Sequence, residues 1–257
     1  MTPTISRVSY SREERLALCA LLDKTGPDAP TLCEGWTTGD LAAHLVLRER
    51  RPDAAAGVIG GPLAGYTARV QQRIRARTPF GDLVRIIRSG PPRLSVMGLP
   101  GMDERANAVE FFVHHEDVRR GAPGWQPREL SGGESDMLWH RLRMARFLLR
   151  KAPVGVELAR DDTVLAGDNT GLAGDNTGLA GDNTGLTGDN TGSDRASAEG
   201  PAYRITAKNA TPAVTVVGSP AELTMWVMGR RTAARVRMDG IQAAVTKLAE
   251  VYGTNLR

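Results

Sequence analysis

The hydrophobic period of this chain changes at Pro153, and that change limits the possible folds more than any other feature. Before it, apolar residues recur at helical spacing. After it, VGVELAR, AYRITA and AVTVVG alternate or run apolar with β-branched residues, which is the pattern of short strands. PAELTMWVMGR then returns to helix, RVRM fits another strand, and IQAAVTKLAEVY reads as a terminal amphipathic helix. The expected fold class is α+β, with a helical part over 1–152 and a small α+β module over 153–257.

Within the first part, Ser11 followed by Glu14 makes a capping-box pattern and predicts a helix to about Asp23, ended by Thr25, Gly26 and Pro27. Thr37 with Asp40 predicts a second helix, DLAAHLVLRER, which contains His44. Tyr66 to Arg77 and Gly81 to Arg88 form helical pieces on either side of Pro79, after a loop-like stretch from Gly57 to Gly65. Met102 to Arg119 and Gly132 to Lys151 supply the third and fourth long helices. Three long helices with a broken one between them predict an antiparallel four-helix bundle.

The second part carries a heptapeptide repeat, GDNTGLA at Gly167 and Gly174, GDNTGLT at Gly181 and GDNTGSD at Gly188. Its period is too short for the common helical solenoids, and both the period and the paired glycines of the calcium-binding nonapeptide are missing. The glycine content predicts a flexible insertion at about 165–194, with aspartates able to hold a cation only loosely.

Thirty-three basic residues are nearly matched by 29 acidic ones, so a net charge of +4 gives nucleic acid binding little support without a reading motif or a one-sided basic face. Cys19 and Cys33 match neither a CxxC pair nor a zinc ribbon and read as reduced thiols. No signal peptide or apolar run of membrane-spanning length is visible, so a cytoplasmic location and no membrane partner are expected.

The chemistry concentrates on the third long helix. Glu110 and His114 are four apart, so their side chains lie within about 40° of each other. Glu110 shares a stripe with Ala106, Val109 and Val113, where a bundle helix is normally apolar, and a buried carboxylate is costly unless it is paired or bound to metal. His115, about 140° away from Glu110, is expected to face solvent or a neighbouring loop. His44 shares a face with Leu41, Leu45 and Arg48 and so looks inward. Taken alone, His44 reads as a hydrogen-bonded core histidine, and ExxxH alone as a surface ion pair. Together, two imidazoles and a carboxylate match catalytic zinc sites that keep one position open. Trp36 and Cys33 read as structural, and His140 as a spectator across the bundle.

LCEGWTTGDLAAHL, ending just past His44, followed some sixty residues later by NAVEFFVHHEDVRR, resembles the mycothiol-dependent maleylpyruvate isomerase family of the DinB-like superfamily. The resemblance implies a DinB-like bundle whose His44, Glu110 and His114 hold a divalent metal, usually zinc. It also implies a sterol-carrier-like domain from GSPAELTMWVMGRR onward, and departs from the family at the heptapeptide insertion. Mycothiol, a small-molecule thiol, is then the implied co-substrate, entering the open metal position as thiolate and attacking a small electrophile in S-transfer or cis–trans isomerisation. Arg230 matches the family's assisting arginine by position; its other reading is a cation at a helix C-terminus. The competing reading is a non-catalytic metal-binding bundle whose C-terminal module binds an apolar ligand or a protein partner.

Overall fold

The computed structural model describes residues 9–55, 62–92, 102–161 and 203–252. The expected insertion at about 165–194 lies outside them. The fold is α+β. Its helical part contains α1 (Tyr10–Thr25), α2 (Thr38–Arg50), the single turn α3 (Pro52–Ala55), α4 (Ala64–Arg77), α5 (Phe80–Ser89) and α6 (Met102–Gly121). The segment α7 (Gly132–Arg141), a 3-10 turn (Leu142–Met144) and α8 (Ala145–Leu148) follows. Strands β1 (Gly155–Arg160), β2 (Arg204–Lys208) and β3 (Ala213–Gly218), helix α9 (Pro220–Val227), strand β4 (Arg237–Gly240) and helix α10 (Gln242–Tyr252) complete it. Among the described residues no helix is long and apolar enough to cross a membrane.

α2 starts where the sequence predicts. Asp40 N donates to Thr37 Oγ1 while Thr37 N donates to Asp40 Oδ2, so both orphan donors of the first turn are satisfied. α1 starts differently: its N-cap is Ser9, without a side-chain cap bond, and Ser11 lies inside the helix. The predicted Ser11–Glu14 box does not form because Glu14 is buried and committed to His115 and Arg128.

The predicted single helix over 132–151 is also interrupted, in the 3-10 turn after Arg141. Trp139, Leu142 and Ala145 all enter the core beneath the sheet. Their spacing of three residues falls in line on a 3-10 helix, whereas an α-helix would rotate the third away.

The sheet has the order β2-β1-β3-β4, with β1 parallel to β3 and the outer pairs antiparallel. Val156, Leu158, Val214 and Val216 face a core shared with Leu149, Leu223, Trp226 and Leu248. A second core joins α1, α2, α5 and α6 through Leu18, Leu22, Leu41, Leu45, Ile87 and Phe111. α9 is buried along its whole length, as a helix wrapped on every side must be. Its Ala221 and Met225 pack on Phe112, Val113 and Leu138, joining the sheet module to α6 and α7. A buried ionic link reinforces this junction: Arg120 on α6 donates to both carboxylate oxygens of Glu222 on α9 at 2.9 and 2.7 Å, and to Glu116 at 2.7 Å.

Candidate metal centre

α6 is the structural spine of the site. Residues 111–118 are all buried: α1 packs along the helix, α9 touches it, and α2 shares a core with its Phe111 and Val118. His115, expected to face solvent or a neighbouring loop, is instead packed against α1 and only 7% exposed, with Nδ1 2.8 Å from Glu14 Oε2. Helical phase placed it away from Glu110 correctly, but that direction is occupied by α1.

The structure brings His44, Glu110 and His114 together, with one ligand atom from each lying within 4.8 Å of the others. His114 Nε2 is 2.9 Å and His44 Nε2 3.6 Å from Glu110 Oε1. A tetrahedral ion bonded at about 2.0–2.1 Å to each donor would spread them about 3.3 Å apart. The two observed separations bracket that figure, so the donor set fits a small divalent cation. The His44 and His114 rings meet edge to face at 5.2 Å.

Burial holds His44 below the ordinary histidine range, so it offers a neutral imidazole. Burial would also raise the Glu110 carboxyl, but hydrogen bonds from His114 and His44 and the Arg48 charge hold it well below the usual value. His114 moves the other way: burial opposes its charge, yet Asp117, Cys33 and Glu110 keep it well above the usual value. A metal ion at Nε2 would displace any proton held there. Arg48 Nη1 stands 3.2 Å from Glu110 Oε1 and competes for the same oxygen.

Behind the triad lies a group that sequence reasoning missed. Asp117 Oδ2 is 2.9 Å from His114 Nδ1, and both its oxygens accept from Arg230, Oδ1 from Nε at 2.8 Å and Oδ2 from Nη2 at 2.6 Å. Burial would raise this carboxyl, but His114 and Arg230 draw it down to about 2. An anion on Nδ1 keeps the proton there and leaves Nε2 free as a ligand. The spacing 110, 114, 117 places all three residues on one helix face, which was the available signal.

Cys33 joins the same group, with Sγ 3.2 Å from Asp117 Oδ2 and 3.3 Å from Arg230 Nη2. Its loop is held against α6: Leu32 N donates to Asp117 O at 3.0 Å, and a Cβ at Gly121 would run into the Pro30 carbonyl. Cys33, His114 and Asp117 could also chelate an ion, but the Arg230 guanidinium already takes the cation position there. Arg230 follows α9 and donates from Nη1 to Met228 O at 2.7 Å, so it meets a helix end and reaches the site at once.

The triad opens on a cleft of about 980 Å³ lined also by Trp36, Cys33, Arg48 and Arg230. Trp36 is both packing and wall: it touches the helical core and sits 5.1 Å from the His44 ring. His140 also lines the cleft, with Nδ1 2.7 Å from its own helix's Asp136 carbonyl.

Residues 9–93 match the mycothiol maleylpyruvate isomerase N-terminal domain. The family resemblance read from the sequence is thereby supported over α1 to α5, the part that carries His44. Glu110, His114 and Arg230 lie beyond the matched segment. No curated protein and no solved structure matches the chain.

Proposed function

We propose that the protein binds one divalent cation, zinc in our reading, through His44, Glu110 and His114, and acts as a mycothiol-dependent S-transferase or isomerase on an electrophile. The observation that carries this is the convergence of three donors from α2 and α6 at the floor of a cleft large enough for a thiol and a second molecule. A bound divalent ion would supply an acidified thiol, because a metal-coordinated thiol is deprotonated at neutral pH.

The protein's own residues do the remaining work. His44 contributes a neutral imidazole kept so by burial. Glu110 supplies the negative charge, and the oxygen it offers to an ion is the one that meets Arg48 in this structure. Asp117 orients His114 through Nδ1 and anchors Arg230 in the cleft wall. Arg230 is thus a positioning residue that also adds positive charge beside the site. Cys33 keeps a second sulfur close to the triad without being needed as a nucleophile.

Metal analysis of wild type and His44→Ala, with calorimetric titration of mycothiol into each, tests the reading. The expected result is about one equivalent of metal in wild type, little in the variant, and thiol binding only where metal is present. Equal metal content in both would refute the ligand set. Metal with no thiol affinity in wild type would refute the enzyme and favour a purely metal-binding bundle.

A further inference from the structure

Beyond the triad, the outer half of the same cleft is unlike a polar thiol site. Its rim is formed by the 3-10 turn and α8, where Met144, Phe147 and Leu148 are 42, 58 and 43% exposed. Their helical neighbours Leu142, Ala145 and Leu149 are locked in the sheet core, so the rim side chains are held outward by packing rather than left loose. Large apolar groups exposed side by side along a concave surface mark a binding wall.

Three guanidinium groups accompany them. Arg141, Arg143 and Arg146 all line the cleft, and among the described residues no carboxylate lies within ion-pair distance of any of them. Arg141 donates to the Glu104 carbonyl at 3.4 Å, and the Arg146 guanidinium lies 4.7 Å from the Phe147 ring centre. The inner arginines differ, since Arg48 is paired with Glu110 and Arg230 with Asp117. The cleft is therefore lined by the three donors, by apolar side chains that include Val109 and Val113, and by arginines that have no carboxylate partner among the described residues.

We infer that the electrophile accepted here is a bulky amphiphilic organic anion. Its apolar body lies on Met144, Phe147 and Leu148, its carboxylate or sulfonate end meets Arg143 and Arg146, and its reacting end points to the triad. This deepens the proposed reaction and rests on it for the word electrophile. Guanidinium groups stacked on or beside apolar side chains suit an anion attached to an aryl or alkyl body.

The test uses the full-length protein with 1-anilinonaphthalene-8-sulfonate and its uncharged analogue N-phenyl-1-naphthylamine as fluorescent probes. The sulfonate should bind at one saturable site, be displaced by decanoate, and weaken as salt is raised. Arg143→Gln with Arg146→Gln should weaken the sulfonate about tenfold, as expected for loss of charge-assisted contacts at a partly hydrated site, and change the neutral analogue less than about twofold. Phe147→Ser should weaken both probes. All three positions are exposed, so these variants leave the core intact. Sulfonate binding unchanged by the double arginine variant, or failure of decanoate to displace it, would overturn the inference. Repeating the titration in His44→Ala separates it from the reaction: retained sulfonate binding there supports the anion subsite even if the metal reading has failed, and its loss places the probe elsewhere than on the rim and overturns the assignment.

Discussion

Asp117→Asn is nearly isosteric, yet it strikes the carboxylate that joins α6 to Arg230 and to His114. In the folded protein this side chain is fully buried and accepts from Arg230 twice, at 2.8 and 2.6 Å, and meets His114 Nδ1 at 2.9 Å. Its pKa falls from 3.8 to about 2, so at about 1.4 kcal/mol per unit the carboxylate contributes on the order of 2 kcal/mol to stability. Because the folded value is depressed, that contribution is present above about pH 4 and is lost as pH falls towards 2. Asparagine removes it and leaves a half-buried guanidinium without its counter-ion, so a loss of about 2–4 kcal/mol is expected at pH 7. The amide can also present its NH2 to His114 Nδ1, which would move the ring proton to Nε2 and block ligation. Metal affinity should fall about 10- to 100-fold. Urea denaturation and calorimetric zinc titration at pH 7.5 measure the two effects. A variant with the wild-type urea midpoint and wild-type zinc affinity would refute the argument that Asp117 both anchors Arg230 and sets the His114 tautomer.

Further outcomes follow from other buried groups. Glu134 shares a hydrogen bond with Glu14, and burial and that neighbour raise it to about 7. The folded state therefore holds a proton the unfolded chain has lost, and this group's contribution declines as pH rises from about 4.5 to 7. Glu134→Gln should be about 1 kcal/mol more stable than wild type at pH 8, after allowance for solvent screening, and equal to it near pH 4.5; identical pH profiles by thermal denaturation would count against a shared proton. Burial lifts the Cys19 thiol to about 11, whereas Cys33 lines the open cleft, so iodoacetamide at pH 8 should label one thiol in the native protein and both in urea, with mass mapping to Cys33 first. Glu222→Gln takes the charge from the buried partner of Arg120 while Glu116 remains, and should lower stability by about 2–3 kcal/mol in urea denaturation; an unchanged midpoint would mean that the apolar packing of α9 alone joins the two parts.

Much of the architecture was legible along the chain because its causes are local. The Thr37–Asp40 box, the helix ending near Pro27, the switch of period at Pro153 and the strands around Val156 and Val214 depend on neighbours a few residues away. The direction of His44, Glu110 and His114 was legible too, since it needs only the phase of α2 and of α6. The environment of each was not. His115 was directed away from the triad by its phase, but only the packing of α1 on α6 decided that this direction is buried and holds Glu14. The Glu14 carboxylate, which looked like half of a capping box, was drawn instead to His115 and Arg128 across the interior. Cys33, Asp117 and Arg230 meet from positions 84 and 113 residues apart, and no periodicity records such a meeting. The helix after Ser131 passes through a 3-10 turn where Trp139, Leu142 and Ala145 enter the sheet core, a demand set by a surface built from residues later in the chain. Sequence by itself determined which side chains can act together on one helix, through the fixed angle per residue. Tertiary structure decided what stands opposite each face, because the contacts that desolvate and charge a group come from elements distant in the chain.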